Sequence, residues 1–206
     1  MSTGKGLVSK SYLTAIANAI RAKTGSTGTY MPSQMANAIN NIKTQGSQDN
    51  TVLNSILDRS ISGDYVNNDL TEIGMYSFDG CKNLTSATFM KATKIDGGAF
   101  SRCSSLESIS LPEVKEIKAT AFNYCGLKSI SMPKIEILSS DTDSWGIFNY
   151  CPITTINIPS TIKSIGKNAF ESTSKLTTIT INRKADAISG SPWGATNATV
   201  SWTGTT

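Results

Sequence analysis

A chain of 206 residues with 38% hydrophobic content can bury a substantial core, and a formal charge of +4 without a long basic run offers no electrostatic footprint for nucleic acid. The absence of histidine removes the commonest general base, nucleophile partner and zinc ligand together, so catalysis is not expected. No run of 18 apolar residues occurs, and residues 1–10 lack the apolar stretch of a signal peptide, so neither membrane insertion nor signal-directed export is expected.

From the start of the chain, residues 11–23 carry Leu13, Ile16, Ala17 and Ile20 on one helical stripe, with Ser9 or Ser11 to cap it and Gly25 to stop it. Pro32 holds a first-turn position, and Met35, Ala38, Ile39 and Ile42 repeat the spacing in a second helix. Residues 1–43 are therefore expected to form a two-helix hairpin for attachment or oligomerisation, too small to be stable alone. Its stripe of Leu13, Ile16, Ile20, Met35, Ile39 and Ile42 is a candidate assembly surface, packing on the rest of the chain, on further copies or on a larger assembly. A DNA-reading helix-turn-helix is disfavoured, because the second helix offers Gln34, Asn37, Asn40 and Asn41 but one cation, Lys43. Residues 44–69 read as linker and N-cap: 44–50 are polar, and Leu53, Ile56 and Leu57 suit a short turn laid over the open end of the unit that follows.

Residues 70–182 repeat one phrase. Its marker is Phe78, Phe100, Phe122, Phe148 and Phe170, in steps of 22, 22, 26 and 22 residues. Three positions after each stands Cys81, Cys103, Cys125, Cys151 or Thr173, followed by a strand-like run of the form L-x-x-I-x-I at 84–89, 106–111, 127–132, 153–158 and 176–181. A unit of this length has an apolar side and nothing of its own to bury it against, so the copies must stack as parallel coils with like residues in columns. Leu106, Ile109 and Leu111 then point inward while Ser108 and Ser110 point out, with the period of two that a strand imposes. Pro112, Pro133 and Pro159 end three of the runs by withholding an N–H from the ladder.

The outward positions form the candidate binding face: Ser86, Thr88, Ser108, Ser110, Ser129, Ser131, Thr155, Asn157, Thr178 and Thr180. Hydroxyls suit any solvated strand face, and equally a carbohydrate or a protein surface. The long step holds Asp141-Thr142-Asp143-Ser144-Trp145-Gly146, which opens like a calcium loop but has Pro152 where the twelfth-position glutamate belongs. It reads as a bulging candidate contact loop, with Asp141, Asp143 and Trp145 as its contact residues. The cysteines follow the repeat period and lack C-x2-C pairs, so they read as buried small apolar residues, with disulfides between neighbouring coils as the alternative. Glu107, Glu113, Glu116 and Asp143 show no facing pair suited to glycoside hydrolysis. Residues 183–206 leave the template but keep Ile188, Trp193, Val200 and Trp202, so a capping strand at 198–202 is expected, the tryptophan pair reading alternatively as a sugar platform.

The phrase I-G-x-x-A-F-x-x-C-x-x-L-x-x-I-x-I-P-x-x-V-x-x-I, closely matched by Ile165-Gly166-Lys167-Asn168-Ala169-Phe170 and by the run from Ala121-Phe122 to Pro133, resembles the BspA-type leucine-rich repeat. That resemblance implies a solenoid of parallel strands used as a binding and display surface, and no activity. Residues 13–25, of the form L-x-x-I-A-x-A-I-R-x-K-T-G, together with 32–42, resemble the N-terminal module of tail and baseplate-associated proteins in phages of Gram-positive bacteria. This second resemblance implies a virion structural protein attached through its hairpin. The expected fold is α+β: a right-handed leucine-rich-repeat solenoid of about five repeats, with an N-terminal two-helix hairpin and a C-terminal capping strand. The expected function is non-enzymatic, a virion tail or baseplate-associated protein recognising a host-surface glycan or protein. The alternative is a bacterial cell-surface or secreted adhesin or interaction protein built of the same repeats. Other virion proteins or further copies of the chain are the expected partners, with a trimer as the form that likeness to fibre-like virion parts implies. No cofactor, metal, nucleic-acid partner or membrane insertion is expected.

Overall fold

The computed structural model describes residues 59–140, 145–185 and 187–204, and the expected helical hairpin lies outside the described residues. Among the described residues there are strands and turns but no helix. Runs that alternate apolar and hydroxyl residues become strands, because one side of each can be buried against the next coil. One flank consists of β1 (Ser62–Val66), β3 (Asn83–Thr88), β5 (Ser108–Ser110), β8 (Thr155–Ile158), β10 (Thr178–Ile181) and β11 (Thr199–Trp202). The opposite flank is a continuous five-stranded sheet of two-residue strands: β2 (Glu72–Ile73), β4 (Lys94–Ile95), β6 (Glu116–Ile117), β7 (Ile137–Leu138) and β9 (Ser164–Ile165).

All the pairings are parallel, and like positions meet. On the first flank Ser86 pairs with Ser108 and Thr88 with Ser110, then Thr155 with Thr178 and Asn157 with Thr180. That flank is split into two three-stranded sheets, β1-β3-β5 and β8-β10-β11. At the split, the third copy contributes a single bridge, Ser110 to Ser131. The neighbouring coil is the one with the 26-residue step, four residues longer than the 22 of the others. A close approach also marks this coil, since a Cβ added at Gly126 would lie 2.5 Å from the Ser104 carbonyl oxygen of the coil before.

Two rungs fall outside the five counted from the phenylalanines. β1 lies within 44–69 and pairs with β3, and β11 pairs with β10 in the same sense. The rungs β1, β3, β5, Ser131, β8, β10 and β11 are thus joined by six turns, where about five repeats were expected. The C-terminal strand expected as a cap is a further rung, pairing in parallel with β10.

The third side of each coil is the arc through the phenylalanines, and it too is bonded from coil to coil. The N–H groups of Phe78, Phe100 and Phe122 donate to the carbonyls of Ala99, Ala121 and Ile147 in the next coil at 2.8, 2.8 and 2.9 Å. Bonded on three sides except at the split in the first flank, the coils hold one another level. The five rings consequently form one file, with centroids 5.0, 5.5, 5.6 and 6.1 Å apart and planes within 12° of parallel. All five are buried, beside columns of Leu84, Leu106, Leu127, Ile153 and Leu176 and of Ile73, Ile95, Ile117, Leu138 and Ile165.

The file ends differently at its two ends. At the start, Tyr65 and Phe89 pack against Phe78 with centroids 5.2 and 5.7 Å away. At the finish Trp193 takes the place of the residue before the marker, its carbonyl accepting the Phe170 N–H at 2.9 Å. Its ring turns edge-on to Phe170 at 74°, and Trp202 stands edge-on to it in turn at 65°. Because Trp193 is fully buried, with its Nε1–H donated to the Ser189 carbonyl at 2.7 Å, the tryptophan pair closes the core and is not an open sugar platform.

Candidate recognition surface

The ten outward positions read from the template lie on the first flank, in two adjacent columns. Ser108, Ser110, Ser129, Ser131, Thr155 and Asn157 are exposed, whereas Ser86, Thr88, Thr178 and Thr180 are half-buried. The split brings them together as two patches rather than one, with Ser129 outside any strand. Parallel register extends both columns beyond the template: Asp64 and Val66 of β1 precede Ser86 and Thr88, and Thr199 and Ser201 of β11 follow Thr178 and Thr180. Asp64 was not legible as part of this face, because β1 lacks the template. Its carboxylate accepts hydrogen bonds from the Ser86 hydroxyl at 2.7 Å and the Thr85 hydroxyl at 3.3 Å, so one end of the face is anionic.

Elsewhere on the surface several charges pair, most of them from coil to coil. Lys118 and Lys94 both meet Asp96, at 2.9 and 3.4 Å, and Lys163 meets Glu136, Lys134 meets Glu113 and Lys128 meets Glu107. Lys163 holds the Glu136 carboxyl below its usual range, and the hydrogen bond to Asp96 holds the Lys118 ammonium above its own. Exposed pairs of this kind stabilise little, typically about 0–1 kcal/mol, but they cancel charge locally. A more deeply placed pair lies at Asp79, which is buried and held in a fork by Arg102, with Nε 3.1 Å from Oδ1 and the terminal nitrogen 2.5 Å from Oδ2.

Of the candidate contact loop, Trp145 is exposed, and Asp141 and Asp143 lie outside the described residues. The candidate assembly residues Leu13, Ile16, Ile20, Met35, Ile39 and Ile42 lie outside them as well.

The cysteines form a buried column of free thiols. Cys103, Cys125 and Cys151 donate their S–H to the carbonyls of Phe78, Phe100 and Phe122 in the coil before, at 3.0, 2.9 and 2.9 Å. Burial pushes the Cys125 thiol well above its usual range and that of Cys151 up to about 12. A thiol that stays protonated is neither a nucleophile nor a metal ligand. Because all four are buried, we expect iodoacetamide at pH 8 to leave every cysteine unmodified in the folded protein and to label all four in denaturant, as counted by intact mass. The raised folded values also set the sign of a pH effect. From about pH 9 the Cys125 and Cys151 thiols ionise in the unfolded chain but not in the folded one, so the contribution of Cys151 to stability is present below pH 9 and lost between about 9 and 12.

One feature of the arc was missed from the sequence. The second residue after each marker phenylalanine has a left-handed backbone: Gly80, Arg102, Tyr124, Tyr150 and Ser172, with φ between 56° and 75°. Glycine adopts this freely, whereas larger residues pay of order 1–3 kcal/mol. Two tyrosines bear that cost in adjacent coils. Their rings stack with centroids 4.4 Å apart and planes at 15°, and about half of each side chain stays in water, 49% for Tyr124 and 53% for Tyr150. Lost hydration and the neighbouring Tyr150 hydroxyl raise the Tyr124 phenol above its usual range, so it remains uncharged.

The sequence matches the BspA type leucine rich repeat region over residues 59–144 and 144–198, in six copies. No curated protein matches it. Among solved structures it is similar to a leucine-rich repeat protein from Eubacterium ventriosum, at 24% identity and a TM-score of 0.55, covering 64% of this chain and 35% of that one. It is also similar to a leucine-rich repeat protein of T. pallidum, at 26% identity and a TM-score of 0.49, covering 54% and 52% of the two chains. A leucine rich cell surface protein from Faecalibacterium prausnitzii follows at 25% identity and a TM-score of 0.46, covering 61% and 40%. The chain thus spans about half or less of the length of each of these proteins.

Proposed function

Since the chain belongs to the BspA-type leucine-rich repeat family, we propose that it is a non-enzymatic recognition protein, displayed on a bacterial surface or secreted, that binds a cell-surface glycan or protein through one flank of its solenoid. The observation that carries this reading is the register of the hydroxyl columns. In two patches, Ser86 and Thr88 with Ser108 and Ser110, and Thr155 and Asn157 with Thr178 and Thr180, donors and acceptors recur at the rise of the coils, on a flank that carries no charge at these positions. A rigid, repeated row of neutral hydrogen-bonding groups is what an extended partner can match coil by coil. The tail or baseplate role implied by residues 13–42 rests on a hairpin outside the described residues, and no comparison supports it.

The test is to replace Ser108, Ser110, Ser129 and Ser131 together by alanine and to measure attachment of the fluorescent protein to epithelial and bacterial cells by flow cytometry. Attachment at least tenfold weaker, with an unchanged melting temperature, is the expected result. Attachment equal to that of the unaltered protein would remove this flank from the site.

A further inference from the structure

We propose that Tyr150 and Ser172 form a second binding site, a slot one coil wide on the phenylalanine arc that takes the pyranose ring of a neutral sugar. This site goes beyond the hydroxyl flank and stands or falls separately from it. Tyr124 and Tyr150 begin a column of rings on the outside of the arc, in parallel with the buried phenylalanine file. The column does not continue. In the next coil the same position is Ser172, whose backbone has the same left-handed turn, φ 56° against 60° for Tyr150, and whose carbonyl accepts the Tyr150 N–H at 3.1 Å. Where a third ring would stack there is only a hydroxymethyl group, so the outer face of Tyr150 opens over a gap one coil high. Strands and coils in such a stack repeat at about 4.8 Å, the thickness of one flat ring.

The surroundings select the guest. On the other side of the pair, Arg102 is turned away to Asp79, bound through two nitrogens, so no cation is drawn over the rings. The Glu171 carboxylate is turned toward Gly194 of the following coil, where an added Cβ would lie 2.9 Å from its Oε2. What borders the open face is the Tyr150 ring with its own phenol hydroxyl and, one coil on, Ser172, none of them a charged residue. A charged peptide side chain or an anion finds no counter-charge there. An aromatic or proline ring would fill the space but leave the hydroxyl floor unmatched. A pyranose satisfies both, laying its C–H face on Tyr150 and its hydroxyls on the floor. The left-handed tyrosines point the same way: glycine would serve the turn at no cost, and half-exposed rings return little of that cost by burial.

Saturation-transfer NMR on the full chain, with lactose, cellobiose and chitotriose as probes, tests the slot. Two variants fill or empty it without disturbing the core. Tyr150→Gly removes the ring and suits the left-handed turn, and Ser172→Tyr places a third ring where the guest would lie, in a turn that already holds tyrosine one coil before. The expected result is transfer to the C–H protons of one pyranose face for at least one probe, reduced at least fivefold in each variant and unchanged by the four serine-to-alanine replacements on the flank. No transfer from any probe, or transfer that survives both variants, would overturn the proposal. Transfer lost with the flank serines but kept in Tyr150→Gly would assign the sugar to the flank and likewise overturn it.

Discussion

Replacing Phe122 by alanine is expected to destabilise the protein by about 3–5 kcal/mol, the usual cost of emptying a buried aromatic site. For a unit of this size that corresponds to a fall of roughly 6–20 °C in melting temperature. Phe122 is the middle ring of the file, 5.5 Å from Phe100 and 5.6 Å from Phe148, and it is fully buried. In a stack where each coil touches only its neighbours, a void at the centre cannot be filled from elsewhere, and it weakens the interfaces on both sides at once. The coil also depends on the ring to hold its arc level, so that the Phe122 N–H and carbonyl keep their bonds to Ile147 and the Cys151 thiol in the next coil, and the Ala121 carbonyl and Cys125 thiol keep theirs to Phe100 in the coil before. Phe122→Leu keeps most of the volume and should cost much less, about 1 kcal/mol. Urea titration followed by circular dichroism measures both. A loss below about 1 kcal/mol for the alanine variant would mean that the ring does not lie in a shared file.

The file itself was legible because a strict period forces like positions to like places: once Phe78, Phe100, Phe122, Phe148 and Phe170 are one step apart, the coil that separates them can only superpose them. The same logic yielded the inward leucines and isoleucines and the outward serines. It failed wherever the period is carried by shape rather than residue type. Residues 62–66 read Ser-Gly-Asp-Tyr-Val, with no trace of L-x-x-I-x-I, yet Tyr65 packs on Phe78 and Phe89 and the strand pairs with β3. Trp193 was legible as part of a cap, though not its place in the file. A tryptophan in a polar tail reads as cap or alternatively as sugar platform, and the structure buries this one edge-on to Phe170, at the position that precedes the marker in the other coils.

The tyrosine pair shows what the period hides. Read along the chain, the second position after the marker is glycine, arginine, tyrosine, tyrosine and serine, which looks like an unconstrained turn. Only the three-dimensional register makes Tyr124 and Tyr150 neighbours and leaves Ser172 beneath an open ring face. The split in the first flank was hidden as well. The run 127–132 fits the template, but it sits beside the longer step and makes one bridge instead of a strand.

The register of the coils is the claim on which both proposed surfaces rest, and engineered cysteine cross-links read it directly. Ser86 and Ser108 are partners in one sheet, and Thr155 and Thr178 in the other. Parallel neighbours stand about 4.8 Å apart, within the span a disulfide bridges, while positions two residues out of step are about 8 Å apart and beyond it. The four native thiols are buried and do not compete. Under mild oxidation the pairs Ser86→Cys with Ser108→Cys, and Thr155→Cys with Thr178→Cys, should close almost completely, as scored by non-reducing peptide mapping. The offset pairs Ser86→Cys with Ser110→Cys, and Thr155→Cys with Thr180→Cys, should remain open. Closure of the offset pairs in preference to the aligned ones would contradict the stacking described here.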